Sequence, residues 1–461
     1  MKTTHWFNLL FLIWASALGA QTTPLQQYVD YALESNISLQ QRELSYERSL
    51  AVLREAKANF LPQLSLEARY SVAQGGRTID LPVGDLLNPV YENMNVINQF
   101  NREAIQGYPE LPAFPTIENQ SENFLRVREH ETKLRVVFPI FNTAIINNQK
   151  IQQNQSAAER VSVEAYRKEL VKEVKMAYYN FQKASEGLAL YQEVLALVKE
   201  NLRTTNSLFR NHQVTKDAVY GAEREVQSVA QQLAQAEQDV AMAQAYFNFL
   251  LNRDYTEPIE LMPLPEAFSL PTLEGAQQEA WQQRDELTQF NHYLAISDNQ
   301  IDLFKGNNLP TINLVGDYGF QGVDYSFGPD DDFLMGSLVL SWPIFNRTTK
   351  AKVQQAQIDK SRIQSQKSEV RQQIGLQVIE TWYQARTALQ QMDLSNSEIK
   401  SAQGAYQLVE KKFRQGQANL VELTDARTQL TNAQRRKIIA EFDIQVKLAE
   451  LEWVLGKDLA Q

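Results

Sequence analysis

The chain has no cysteine. That excludes disulfide frameworks, thiol nucleophiles, cysteine metal sites and a lipid chain carried on a cysteine. Histidine is nearly as scarce, with 4 residues scattered over 461, which leaves little for zinc ligation or for acid–base chemistry near neutral pH. Positive charge is in deficit. Lys and Arg number 45 against 55 Asp and Glu, a net charge of -10, the wrong sign for a nucleic-acid partner. The Gly-rich phosphate loop, the His-Glu-x-x-His helix and the Gly-x-Ser-x-Gly elbow are all missing. The expectation is therefore a protein that is not an enzyme, with no cofactor and no metal. Beyond the N-terminus no long apolar run occurs and mean hydropathy is -0.40, which excludes a polytopic helical membrane protein.

The N-terminal apolar run is short. Lys2 precedes residues 7–18, and small residues (Ala15, Ser16, Ala17, Gly19, Ala20) lie within and after the run. This is the layout of a signal peptide over 1–20, cleaved near Ala20. A helical anchor would need about 20 apolar residues.

The rest of the chain is a repeat. Phe138-Pro139-Ile140-Phe141-Asn142 returns as Trp342-Pro343-Ile344-Phe345-Asn346, an offset of 204 that also carries Tyr179 onto Tyr383, Phe209-Arg210 onto Phe413-Arg414 and Asp254 onto Asp458. Upstream, Leu61-Pro62 matches Leu309-Pro310 at an offset of 248, so the first copy holds a longer insertion. Duplication is the main organising signal. The expected division is a first repeat over 21–255, a linker over 256–272 rich in proline (Pro258, Pro263, Pro265, Pro271), and a second repeat over 273–461.

Within each repeat, long helices dominate. Residues 142–210 and 346–414 hold no proline and are rich in Gln, Glu, Lys, Ala and Leu. Each would extend about 100 Å at 1.5 Å per residue. Returning helices at 216–252 and 419–456 complete hairpins over 142–252 and 346–456. In the first, Ala222, Val226, Val229, Leu233, Ala236, Val240, Ala243 and Phe247 follow the 4,3 spacing of a heptad seam. Further helices are expected near 37–58 and 273–305. Because 216–252 is too short to return the full length, 37–58 is expected to stack on it end to end.

Four segments alternate apolar and polar residues: about 60–73, 125–139, 309–322 and 333–343. Leu64, Leu66, Ala68 and Tyr70 alternate with Ser65, Glu67, Arg69 and Ser71. Each is long enough to hold the 9–11 residues of a tilted membrane-spanning strand, and one apolar face opposite a charged one suits a wall between lipid and water. A soluble sheet on a core shows the same alternation. Export, aromatics at strand ends and the lack of a spanning helix favour the wall. Four strands cannot close a conducting barrel, whereas three copies supply twelve and leave no edge in lipid.

Phe138, Pro139, Phe141, Trp342, Pro343 and Phe345 mark the strand-to-helix junctions. The aromatics suit the membrane interface, the prolines end ladder pairing, and Asn142 and Asn346 are candidate helix caps. At the far ends of the long helices lie two turns, Arg210-Asn211-His212 and Arg414-Gln415-Gly416. After the second, Glu422 and Asp425 share one helix face. On a threefold axis they would form rings of carboxylates at a cation-favouring constriction. Asn419-x-x-Glu422 is equally a capping box. The first repeat offers Ala218 and Gly221 instead. An acidic stretch around Asp324 and Asp330-Asp331-Asp332 reads as a hydrated turn between strands rather than a cation site.

With these residues in view, the chain resembles the TolC-type outer membrane efflux proteins. The resemblance rests on the duplicated order of Leu-Pro strand starts, the two Phe/Trp-Pro-Ile-Phe-Asn junctions and the tip segment from Phe413 to Ala426. It implies a fold that is mainly α with transmembrane β. A trimeric 12-stranded β-barrel would sit on a long coiled-coil-like α-helical barrel, with four strands per chain. It implies a homotrimer in outer membrane lipid, a large periplasmic extension, and docking of the tip turns on a periplasmic adaptor and an inner-membrane transporter. The family's tip carboxylates match Glu422 and Asp425. Two departures stand out: His212 replaces a glycine in the first tip turn, and the outer loop over 75–123 is long, with Pro82, Pro89, Pro109, Pro112 and Pro115. The competing readings are a periplasmic coiled-coil adaptor without a channel and an exported hydrolase. The first should show one hairpin flanked by lipoyl-like β segments, the second a nucleophile with its base.

Overall fold

The computed structural model describes residues 23–264, 269–323, 325 and 327–457. The signal peptide expected over 1–20, Asp324 of the acidic turn, Pro265 of the linker and Asp458 of the repeat lie outside the described residues. In chain order the elements are α1 (Pro24–Ser35), α2 (Ile37–Ala58), β1 (Gln63–Val72), β2 (Thr78–Leu81), α3 (Val83–Ala104), β3 (Gln120–Asn123), β4 (Arg128–Phe141), α4 (Thr143–Arg210), α5 (Lys216–Leu250), α6 (Leu273–Gln283), α7 (Asp285–Gly306), β5 (Thr311–Gly322), β6 (Asp332–Ser341), α8 (Arg347–Arg414) and α9 (Leu420–Val454). Contacts divide them into a helical unit (residues up to 53, 150–300 and from 354 onward) and a sheet unit (54–149 and 301–353). Each unit draws on both sequence repeats.

In the helical unit the repeat is visible in the core. Val174, Tyr178 and Leu251 pack with Ala32 and Leu39 in one buried cluster. Val378, Leu455, Ala280 and Leu287 pack in another. Val174 and Val378 stand 204 positions apart, as do Leu251 and Leu455; Ala32 and Ala280 stand 248 apart, as do Leu39 and Leu287. These are the two sequence offsets, now seen as equivalent layers. The free-standing long helices owe their stability to such layers rather than to propensity alone.

Short helices stack on the hairpin ends through one residue in each repeat. Asn36 accepts from the Leu39 N–H at 3.1 Å, capping α2, and its Nδ2 donates to the Leu250 carbonyl at 2.9 Å. So α2 begins where α5 stops. Arg284, 248 positions on, splits the helix expected over 273–305 into α6 and α7. Its guanidinium donates to the Val454 carbonyl at 3.4 Å and to both carboxylate oxygens of Glu286 at 2.8 and 2.5 Å. No Gly or Pro marks this break; the arginine makes it by reaching the last carbonyls of α9.

The linker is strapped down in the same paired fashion. Tyr178 Oη donates to the Glu260 carbonyl at 2.9 Å, and the equivalent Trp382 donates Nε1 to the Pro271 carbonyl at 2.8 Å. Burial pushes the Tyr178 hydroxyl up to about 12, so it stays a donor at any physiological pH.

In the sheet unit the strands run antiparallel in the order β1-β4-β5-β6. Register places Leu66 beside Leu134, Leu134 beside Tyr318, and Tyr318 beside Leu334. The next row on the opposite face is Ser65, Arg135, Asp317 and Met335. The outer loop expected over 75–123 is structured: β2 and β3 pair antiparallel, and α3 with the segment after it connects them.

Candidate functional site: sheet faces, junctions and tip turns

The two faces of the sheet differ in kind. On one, Leu64, Leu66, Leu134, Val136, Tyr318, Leu334, Leu338 and Leu340 are all exposed, Leu334 at 83%. A soluble sheet buries such a face; this one is uncovered over ten-residue strands. On the other, charges interlock across β1, β4 and β5. Arg135 forks onto Asp317 with two contacts of 2.8 Å and reaches Glu67 at 3.2 Å. Lys133 meets Glu131 at 2.6 Å, and Arg69 meets Glu131 at 3.2 Å. Surface ion pairs stabilise little one by one. As a cross-strand network these fix which face is wet and hold the register, because a one-residue slip would turn every charge to the apolar side. Both outer strands, β1 and β6, have one edge without a ladder partner among the described residues.

At the junctions the asparagines cap as expected. Asn142 Oδ1 accepts from the Ala144 N–H and Asn346 Oδ1 from the Thr348 N–H, both at 3.0 Å. The prolines do not behave alike. β6 stops at Ser341, before Pro343. β4 instead continues through Pro139 to Phe141, with a register shift between them. Pro139 therefore does not end pairing: a bulge absorbs the missing N–H inside a central strand. Phe138 and Phe141 are about one-third exposed, whereas Trp342, Ile344 and Phe345 stand out at 60%, 90% and 82%. Trp342 keeps its ring fixed by donating Nε1 to the Asn308 carbonyl at 3.1 Å.

The tip turns belong to the helical unit and share one backbone. After α4, the Gln213 N–H bonds to the Leu208 carbonyl and the His212 N–H to the Phe209 carbonyl, both at 2.9 Å. After α8, the Gln417 N–H bonds to Lys412 at 2.8 Å and the Gly416 N–H to Phe413 at 2.9 Å. Both are Schellman closures with the middle residue left-handed: His212 at φ 59° and Gly416 at φ 72°. Arg210, Asn211, His212, Arg414, Gln415 and Gly416 are exposed. Arg414 is held by Glu410 at 2.6 Å.

Glu422 and Asp425 are both exposed on the first turns of α9. Asn419 accepts from the Glu422 N–H at 2.9 Å and donates Nδ2 to Glu422 Oε1 at 3.2 Å. Glu422 thus completes a cap, with Asp425 one turn further on. The sequence reading missed two features here. Asp217 adds a carboxylate to the first turn of α5, where the Thr215 hydroxyl and nearby backbone N–H groups hold it below the usual carboxylate range. Arg427 is buried against Glu225 of α5, and that burial lowers the pKa of its guanidinium. A Thr-x-Asp start signals the first; nothing local signals the second, since its partner lies on another helix. Between the two turns opens a cleft of about 670 Å³ lined by Val214, Tyr220, Phe413, Leu420 and Val421. Among the described residues no helix is long and apolar enough to cross a membrane, and no His, Cys, Asp or Glu cluster could hold a metal ion.

Comparison with known proteins follows the same lines. No curated protein sequence matches. Solved structures do. The Neisseria gonorrhoeae MtrE outer membrane channel in its open state is 20% identical with a TM-score of 0.73, covering 95% of this chain and 89% of that one. The Campylobacter jejuni CmeC outer membrane channel is 16% identical with a TM-score of 0.75, covering 94% and 85%. A membrane protein from Pseudomonas aeruginosa is 18% identical with a TM-score of 0.76, covering 94% and 90%. At these identities the likeness is one of fold: long helical hairpins joined to a four-stranded sheet. Residues 276–457 match the family described as outer membrane efflux protein. Over its second repeat the chain is therefore similar to the outer membrane efflux proteins.

Proposed function

We propose that three copies of this chain form an outer-membrane exit duct for an efflux or secretion system, a passive channel and not an enzyme. One observation carries the reading: a four-stranded sheet with an exposed apolar face, a charged opposite face and, among the described residues, two unpaired edges. Lipid tolerates no unpaired edge. Joining β6 of one copy to β1 of the next removes both edges, and three copies give a twelve-stranded wall with its charges toward the lumen. The helical hairpins extend on the periplasmic side, where the tip turns offer contacts to a periplasmic adaptor and through it to an inner-membrane transporter. Glu422 and Asp425, repeated three times, favour cations at the tip. The adaptor reading has no use for a sheet with one face apolar and exposed.

The test is extraction from the outer membrane in mild detergent. Unheated samples are expected to run as trimers that collapse to single chains on boiling, and the purified material to conduct in planar bilayers. Monomeric protein that stays in solution without detergent would overturn the proposal.

A further inference from the structure

We infer that α3 is a self-association helix: three copies pack around the symmetry axis and cap the outer mouth of the duct. The inference rests on the trimer proposed above. α3 has two faces of different character. One is already occupied within the chain. Asn88 exchanges two hydrogen bonds with the backbone of Ile117, both 2.8 Å, and Asn95 does the same with Phe114 at 3.0 and 2.8 Å. Tyr91 stacks on Phe114 with ring centroids 5.1 Å apart. Gly84 permits the closest approach, since a Cβ there would stand 2.3 Å from the Ile117 carbonyl oxygen. A strap of chain thus covers this side.

The opposite face is bare. Leu86, Val90, Asn93, Ile97, Phe100 and Ala104 are all exposed, and their spacing is 4,3,4,3,4. That is a heptad seam, the pattern that places side chains into a facing helix. The seam bears no charge and contains one asparagine. A lipid surface is a poor occupant: an amide in the middle of the apolar stripe would lose its hydrogen bonds there. Interfacial helices also carry Lys and Arg on their flanks, and α3 has Asp85, Glu92 and Glu103 against a single Arg102. Another copy of the same helix suits it better, because an asparagine at one seam position meets its own counterpart across the axis and fixes register and number of strands. The placement agrees. The β2–β3 pair prolongs the β1–β4 ribbon, through the Ala73 N–H to the Val127 carbonyl at 3.0 Å and the Phe124 N–H to the Arg77 carbonyl at 2.9 Å. β1 is the edge strand that meets the neighbouring copy in the trimer. Tethering three such helices raises their effective concentration enough for a seam too short to pair in free solution.

The cysteine-free chain makes the test direct, because any introduced thiol is unique. Ile97→Cys and Glu92→Cys are compared in the full chain in outer membranes, under mild oxidation and non-reducing electrophoresis. The seam variant is expected to link two of every three chains into a disulfide dimer. Glu92→Cys, exposed but about 140° round the helix from Ile97, is expected to give none. Adding Asn93→Asp to Ile97→Cys sets like charges together on the axis and is expected to abolish the link. Heat-sensitive trimers without cross-linking at position 97 would overturn the cap while leaving the duct intact. So would trimers whose thiol at 97 is alkylated freely by a membrane-impermeant maleimide, or carries a fluorophore that spin-labelled lipid quenches. Absence of trimers would overturn the duct and the cap together.

Discussion

At the end of α4, His212 holds the left-handed position that Gly416 holds at the end of α8. The two turns close with the same hydrogen bonds, yet the helices that leave them differ. α9 starts with Asn419, Glu422 and Asp425; α5 starts with Thr215, Asp217 and, at the equivalent places, Ala218 and Gly221. Duplication has preserved the backbone and let the chemistry diverge. In the proposed trimer two different hairpins would alternate around one axis, and only one of each pair would bring the carboxylates. The same holds for the buried pair: Arg427 has Glu223 as its counterpart and Glu225 has Gln429, so the pairing runs one way, from the second hairpin to the first.

That asymmetry gives the largest expected effect. Breaking a buried ion pair by removing one partner costs about 3–5 kcal/mol, because the other charge stays buried alone. Arg427→Met is expected to lower the thermal midpoint of the detergent-solubilised protein strongly. Combining it with Glu225→Met is expected to recover most of the loss. Equal midpoints for the single and double variants would show that Glu225 is hydrated and that the hairpins are not clamped there.

Most of this architecture can be read from the sequence, for definite reasons. The long helices stand out because nothing in 143–210 or 347–414 breaks them, and the strands because one apolar and one charged face impose alternation with a period of two. The tip turns were placed by the Asn419 cap and Gly416. What escaped depends on contacts distant along the chain. Arg284 breaks a helix by bonding to Val454, and Pro139 stays inside β4 because a bulge forms opposite β5. α3 lay hidden among prolines, since Pro82 precedes its first turn and Pro89 sits within it. The Asn88 and Asn95 clamps that hold it have partners some 20 to 30 positions away. Of the tip, the positions of Glu422 and Asp425 were legible but the Arg427 clamp two residues later was not.

The carboxylates sharpen the comparison next. Glu422→Gln with Asp425→Asn keeps the Asn419 cap, which bonds to a backbone N–H, and removes only charge. Cation over anion permeability in planar bilayers is expected to fall about fivefold, what a difference of roughly 1 kcal/mol between cation and anion in the carboxylate field supplies. The converse graft, Ala218→Glu with Gly221→Asp, is expected to raise it, and a Cβ at 221 has room at 3.4 Å from Leu420 Cδ2. Unchanged selectivity in the first variant would reduce Glu422 and Asp425 to stabilisers of the α9 terminus.

The smallest effect lies in the turns themselves and separates backbone from side chain. A Cβ at Gly416 would meet nothing within 4 Å, so Gly416→Ala tests conformation alone. The left-handed region costs an alanine about 1–2 kcal/mol, of which the loss of glycine's unfolded-state freedom returns about 0.5–1 kcal/mol, and the variant should be less stable by the balance. His212 already bears this cost. His212→Gly reverses both terms, but histidine tolerates the left-handed region better than alanine, so less strain is relieved and the change is close to zero. Opposite substitutions at equivalent positions should therefore not be mirror images. A gain from His212→Gly as large as the loss from Gly416→Ala would mean that the imidazole itself is strained in the first turn, and that the two tips are less alike than their hydrogen bonds indicate.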